Sequence, residues 1–441
     1  MSTKYTIALA PLDAFGHVNA CVGLAQTLRD FGHNCVFIVN QNWKNMISGL
    51  GFDYQIYIEK HKTDSKDKFW IEMMRESANI LMLSPFEKLR AFEAPGWPPL
   101  TENVRLSNDK IKLIIDTIKP DAIITDTFLT IPAVVSAGVP WIDLISCNPL
   151  YYWTDPRLPP GGSGYATNSD KKLWKEFINE AIDAYSDSWE SYNKWLQSVG
   201  APALQNKFRF SNPSPFLNLY MCPLELNYED IAPNDPELCF NIDSMIRSDV
   251  INNTTNTFEI PKELSEKSGK LVYLSMGTIC CSDLALMKRL VSILSKSQHR
   301  FIVSKGPLGD DYELPDNMWG RNSLPQLQVI PLVDLVITHG GNNTVTESLY
   351  LGKPMIIVPV FCDQFDNAQR IVEKQLGLRL DPYLCSQNEL IDAIDRVVND
   401  FNLKAKYELI SQRMQRSDWR TKCVQIINKV INRSKNATND S

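Results

Sequence analysis

Two groups of residues in this chain of 441 could do chemistry. The first is the run ITHGGNNTVTESLYLGKP at 337–354, in which an apolar strand meets His339, two glycines and two asparagines before helical spacing begins. A strand–turn–helix of this kind makes an anion site: backbone N–H groups and the positive helix end point outward, and glycines let an anion approach. Beside Gly341, the side chains of His339, Asn343 and Thr344 add donors. One turn on, Glu347 is placed to accept bonds from hydroxyls such as those of a ribose. Downstream, PMIIVPV runs into FCDQFDN, which sets Asp363 and Gln364 at the edge of the next strand. A carboxylate acceptor beside an amide suits sugar hydroxyls. Each feature also has a plain structural reading, as a glycine turn with Asn and Thr helix caps and as a polar loop.

The second group is His17 and Asp126. His17 opens the first helix, whose positive end would favour the neutral imidazole needed in a base. Asp126 ends the strand DAIITD. Either residue alone reads equally well as a helix-start or cap position. Together on one carboxyl edge they make a base and the carboxylate that orients it, the logic of a catalytic triad with a substrate hydroxyl in place of serine.

Such groups need strand ends to hold them, and the chain supplies these. YTIALAPL, HNCVFIVN, DAIITD and PWIDLIS read as strands alternating with helical segments. KLVYLSMGT, HRFIVSKG, DLVITH and PMIIVPV repeat the alternation in the second half, with QVIP between them. Near-continuously apolar strands between helices signal parallel sheets covered on both faces. The length predicts two domains. Residues 1–240 form the first, 241–262 a linker with an Asn/Thr-rich run at 252–257, and 263–415 the second. Residues 416–441 are expected to form a helix and tail returning toward the first domain. Facing crevices at the strands' carboxyl ends would make one cleft.

Composition excludes other classes. With 44% hydrophobic and 22% charged residues and a net charge of -6, the chain advertises no basic face for nucleic acid. Lys60, Lys62, Lys66 and Lys68 are interleaved with acids and read as a solvated loop. No run of about 20 apolar residues offers a membrane span, and no signal-peptide core opens the chain. Ten scattered cysteines fit buried reduced thiols in a soluble cytoplasmic protein. No D-x-D pair and no clustered His or Cys predicts a metal. No strand is followed by GxGxxG, which disfavours a nicotinamide dehydrogenase.

The segment PQLQVIPLVDLVITHGGNNTVTESLYLGKPMIIVPVFCDQFDN closely resembles the donor signature of the UDP-dependent glycosyltransferases of family 1. VYLSMGT, GHVNACVGLAQTLRDFGH and DAIITDTF resemble other family segments, so the resemblance covers both domains. The soluble bacterial macrolide-modifying members and similar arthropod, mite-type proteins are nearest in style. The resemblance implies the α/β GT-B fold of two facing Rossmann-like domains. It implies a UDP-sugar co-substrate, UDP-glucose from the closing Gln364, with no other cofactor. His339, Gly341, Asn343 and Thr344 would hold the diphosphate with Gly277 and Thr278 nearby. Glu347 would take the ribose, the backbone near Leu324 and Gln326 the uracil, and Asp363 and Gln364 the sugar. His17 and Asp126 would be base and orienter of an inverting displacement. The chain departs from the pattern at Ser323, where many relatives carry a Trp that stacks on uracil; Trp319 or Leu324 could compensate. Asn342 replaces another Trp, and the segment between PQ and HGG is two residues shorter than in plant members.

On the acceptor side, residues 69–99, NPLYYWTDP and the helix after Lys171 are rich in aromatics and Met. They read as core or as the wall of a pocket for a small lipophilic hydroxylated acceptor such as a flavonoid, phenol or macrolide, which would point to detoxification. A UDP-sugar epimerase and a non-catalytic lipophile or sugar-nucleotide binder remain as alternatives.

Overall fold

Short apolar strands that must bury both faces need helices on either side, and the computed structural model of the chain has that arrangement. It describes residues 3–58, 68–77, 79–247 and 258–439. Lys60, Lys62 and Lys66 and the 252–257 run of the expected linker lie outside the described residues. The described strands form two sheets, parallel throughout.

The first sheet contains β1 (Thr6–Pro11), β2 (Asn34–Asn40), β3 (Asp53–Ile58), β4 (Ala122–Asp126), β5 (Trp141–Ile145), β6 (Leu217–Tyr220) and β7 (Cys239–Asn241), in the order β3-β2-β1-β4-β5-β6-β7. The second contains β8 (Leu271–Ser275), β9 (Arg300–Ser304), β10 (Met318–Arg321), β11 (Leu335–Thr338), β12 (Met355–Ile357) and β13 (Gly377–Arg379), in the order β10-β9-β8-β11-β12-β13. Strand order reverses between β1 and β4 and again between β8 and β11. Those switch points are where crevices open beyond the strand ends. Register sets Pro11 beside Asp126, and Ser275 beside Thr338.

Every residue of β4, β5, β8 and β11 is buried, which is why these strands read as near-continuously apolar. One core packs β1, β2 and β5 against the helix Phe15–Asp30 and against Trp419, Cys423, Ile427 and Ile431 of the final helix, Trp419–Asn439. That helix is tied down where the Tyr5 hydroxyl donates to Asn432 (2.6 Å) and Arg420 donates to the Ile246 carbonyl (3.0 Å). Another core fills the second domain and runs without a break into Ile145, Tyr220, Cys222 and Leu226 of the first.

One local reading changes. QVIP is not a strand: Gln326–Val329 is one helical turn, followed by a 3-10 turn at Ile330–Leu332. β7 and β10, of three and four residues, are too short to leave a pattern. A long helix runs from Ala94 to Ile118. Asn108 is a brace inside it, accepting a bond from the Ala133 backbone at 2.9 Å. All ten cysteines are free thiols, seven of them buried and Cys147, Cys239 and Cys362 partly so.

Candidate active site

A short connection after β1, His17 lies in the first turn of its helix. Its Nδ1 is 2.8 Å from an Asp126 oxygen at the end of β4. A proton on Nδ1 shared with Asp126 leaves the Nε2 lone pair free to accept another. Phe128 packs edge-on against the ring, with centroids 5.2 Å apart, and Ser146 Oγ lies 3.4 Å from Nδ1. The helix end is not what sets the pKa of this imidazole. Burial lowers the pKa of His17, but the charge and hydrogen bond of Asp126, joined by the charge of Asp363, outweigh it and raise the pKa above the ordinary value.

Asp363 comes from the other domain. Cys362, in left-handed backbone (φ 51), turns the loop after β12 so that the Asp363 carboxylate accepts the Asn148 backbone N–H at 2.8 Å. Burial pushes that carboxyl up to about 6, against the Asn148 bond and the charge of His17. His17, Asp126 and Asp363 therefore form one electrostatic cluster across the domain boundary.

His339, after β11, sits in a different environment. Gly277 and Gly341 pack against its ring: a Cβ on either would come within 2.6 Å of a ring atom. Gly277, with φ of 69, thus makes room for an imidazole before any ligand arrives. Burial drops the His339 pKa to about 4, opposed only by the Ser275 backbone. The ring is a neutral donor at physiological pH.

The helix Asn342–Tyr350 starts beside it with Gly341 as N-cap and no side-chain cap. Asn343 donates to the Gly16 carbonyl at 3.1 Å, linking this turn to the helix that bears His17. Asn342 donates to the carbonyls of Ser146 (2.9 Å) and Met221 (3.0 Å) and is buried between the domains. Gln326 is a hub: its amide donates to Thr344 Oγ1 (3.1 Å) and Glu347 (2.6 Å), and it accepts from Ser275 Oγ (3.0 Å). Glu347 is pushed up to about 7 by burial, against the Gln326 bond and the charge of Arg247.

Against this geometry the chain can be set beside known proteins. The model of the family described as "UDP-glucoronosyl and UDP-glucosyl transferase" matches residues 254–415. An NDP-glycosyltransferase, YjiC, of Bacillus subtilis is 25% identical over 91% of this chain and 91% of its own. A sterol 3-beta-glucosyltransferase of Saccharomyces cerevisiae is 24% identical over 94% of this chain, which spans 34% of that longer protein. The chain is a transferase enzyme similar to the UDP-glycosyltransferases. Among solved structures, the kitacinnamycin glycotransferase superposes with a TM-score of 0.68 at 16% identity, over 98% of this chain and 100% of the other. VinC, solved with dTDP, gives 0.63 at 16% identity, over 97% and 100%. These likenesses fix the fold as GT-B.

The residues that the sequence reading assigned to a sugar-nucleotide donor fall into two sets. Gly277, Thr278, His339, Gly341, Asn343, Thr344, Glu347 and Gln326 gather around the β8 and β11 ends. Gln364 faces elsewhere. Its oxygen accepts from the Val360 and Phe361 backbones (2.9 and 3.1 Å), and its amide faces Cys280 Sγ. It braces the loop that carries Asp363. Near Ser323 and Leu324, Trp319 packs on Phe258 (5.8 Å) beside a cavity of about 630 Å³. Among the described residues no three His, Cys, Asp or Glu side chains are grouped to hold a metal, and no helix is long and apolar enough to cross a membrane.

Sequence reasoning missed the clamp between the domains. Asn148, after β5, also donates to Asn367 (2.8 Å). Asp366 accepts the Gly162 and Gly164 N–H groups (2.6 and 3.0 Å), and Lys88 reaches the Val360 carbonyl (2.8 Å). Asp366 lay in the quoted DQFDN run, but only its distant partners give it a role.

Proposed function

We propose that this transferase moves glucose from UDP-glucose to a hydroxyl of a small lipophilic aromatic acceptor, with inversion at the anomeric carbon. The observation that carries the reading is the 2.8 Å His17–Asp126 pair facing Asp363 across the cleft. Nε2 of His17 takes the acceptor's hydroxyl proton as that oxygen bonds to the sugar C1. The C1–O bond to UDP breaks on the opposite face, and UDP departs with the electron pair. Asp126 holds the imidazole in the needed tautomer and stabilises the imidazolium.

The diphosphate is assigned to the uncapped start of the helix Asn342–Tyr350, with His339 as a neutral donor and Gly277, Thr278, Gly341, Asn343 and Thr344 around it. Glu347, oriented by Gln326, is assigned to the ribose, and the backbone at Leu324 and Gln326 to the base. Asp363 takes the sugar hydroxyls and Gln364 fixes its loop. The glucosyl donor is favoured by the printed names of the family and of the sterol glucosyltransferase relatives. The aromatic residues of the first domain favour a lipophilic acceptor and a role in detoxification. No metal or other cofactor enters this scheme, and the chemistry is placed in a soluble cytoplasmic protein.

The test is a set of reactions of purified protein with α-configured UDP-glucose and a panel of phenols and flavonoids. Acceptor-dependent UDP release yielding a β-glucoside is expected. A product with retained configuration, or donor turnover independent of acceptor, contradicts the scheme.

A further inference from the structure

Behind the ring that packs on His17 lies a cavity with a polar end. Phe128 touches His17 on one side and Tyr151 on the other, at centroid distances of 5.2 and 5.3 Å. Beyond it is a cavity of about 20 Å³ whose aromatic walls include Trp97, Tyr151 and Tyr185, with Glu93 and Arg209 among its lining. The volume admits one water-sized group. As it stands it is too small to take a whole flavonoid or macrolide.

The polar groups are unusual in so aromatic a place. One Glu93 oxygen accepts the Tyr185 hydroxyl at 2.6 Å and lies 3.5 Å from that of Tyr151. Glu93 ends a turn of π-helix, Leu89–Glu93, a distortion common at functional sites. Arg209 donates through one terminal nitrogen to the carbonyls of Leu150 (2.8 Å) and Trp153 (3.2 Å). Its plane lies over Phe208, with the guanidinium carbon 4.4 Å from the ring centroid. Its Nε–H is buried with no acceptor at all. A buried donor left unmade is costly. Arg209 already holds the Leu150–Trp153 loop through its other nitrogen, so the bare Nε is not explained by that task. An incoming oxygen would supply the missing acceptor.

We propose that this cavity is the far end of the acceptor site, and that it takes one hydrogen-bond-accepting oxygen, a carbonyl or carboxylate, carried on an aromatic ring opposite the hydroxyl that His17 deprotonates. The inference rests on the reading of His17 as the base. It names the acceptor class as hydroxylated aromatic carbonyl compounds rather than plain phenols or sterols. Arg209 donates to the carbonyl oxygen, while Glu93 holds the tyrosine hydroxyls that border it. The ring between the two polar ends lies against the aromatic walls, where Phe128 must turn to admit it.

The experiment pairs 4-hydroxyacetophenone with 4-ethylphenol, which has nearly the same shape but no carbonyl. The change in kcat/KM from wild type to Arg209→Lys is read for each, so their different acidities cancel. The substitution is expected to cost the ketone at least ten-fold more than the ethylphenol; equal losses overturn the proposal. Equilibrium binding of acetophenone and ethylbenzene to the wild-type protein gives a second readout that needs neither turnover nor a folded variant. Acetophenone should bind at least ten-fold more tightly, and equal affinities overturn the proposal. Failure of every acceptor to yield glucoside while acetophenone still binds selectively would sink the transferase scheme and leave the cavity assignment standing.

Discussion

His17 and His339 occupy one cleft, each just beyond a strand end in a parallel sheet, and their surroundings drive them in opposite directions. Both rings lose water. His17 has Asp126 at 2.8 Å and feels the charge of Asp363, and its pKa rises. His339 is packed between two glycines with only the Ser275 backbone to help, and its pKa falls to about 4. Burial is common to both, so the carboxylates alone separate a proton acceptor from a fixed neutral donor. The lesson is that a histidine's part in this cleft is set by the strand it faces, not by the turn it sits on.

The largest expected break in this comparison is His17→Ala. Loss of a general base lowers kcat by roughly 10²–10⁴-fold, with UDP-glucose affinity little changed, read by steady-state kinetics beside calorimetric donor binding. A comparable loss in both would mean that His17 serves binding. His339→Ala should do the reverse. Removing one donor to the diphosphate weakens donor binding by about 10-fold, the worth of one hydrogen bond to a charged group, and leaves the acid limb of the pH–rate profile in place. Movement of that limb would assign the titration to the wrong histidine.

Smaller effects follow from the residues joining the two sides. Asn342→Ala leaves the Ser146 and Met221 carbonyls without their shared donor. Unfolding free energy should fall by about 1–3 kcal/mol, measured by urea titration; an unchanged midpoint would show that water replaces the amide. Asn343→Ala removes the bond to Gly16 that links the His339 turn to the His17 helix. At about 1 kcal/mol this predicts a loss of about five-fold in kcat/KM, with stability hardly altered.

What the sequence could and could not show follows from how local each signal is. The positions of Asp126, His339 and Glu347 at strand ends and in a helix were legible because such places leave short-range patterns, and β1, β4, β8 and β11 are largely apolar. The upward shift of the His17 pKa was not legible in full, since Asp363, one of its causes, arrives from the second domain, 346 positions along the chain. Gln364 was read as a sugar ligand from its neighbour Asp363, whereas its side chain answers to the Val360 backbone and to Cys280, far back in the chain. Arg209 lies in a stretch without periodicity, and only the folded first domain brings it to Glu93.

The most direct measurement is the pH dependence of kcat/KM for one acceptor in the wild type and in Asp126→Asn. A protonated imidazole cannot accept the hydroxyl proton, so the rate falls as pH drops through the pKa of His17. The wild-type midpoint should lie above 6.5, the ordinary histidine value. In Asp126→Asn burial is no longer outweighed, and the midpoint should move below 6.5 with a lower plateau. A wild-type midpoint below 6.5, or one that Asp126→Asn leaves in place, would contradict the account of His17 as a base whose pKa is raised by its carboxylate partner.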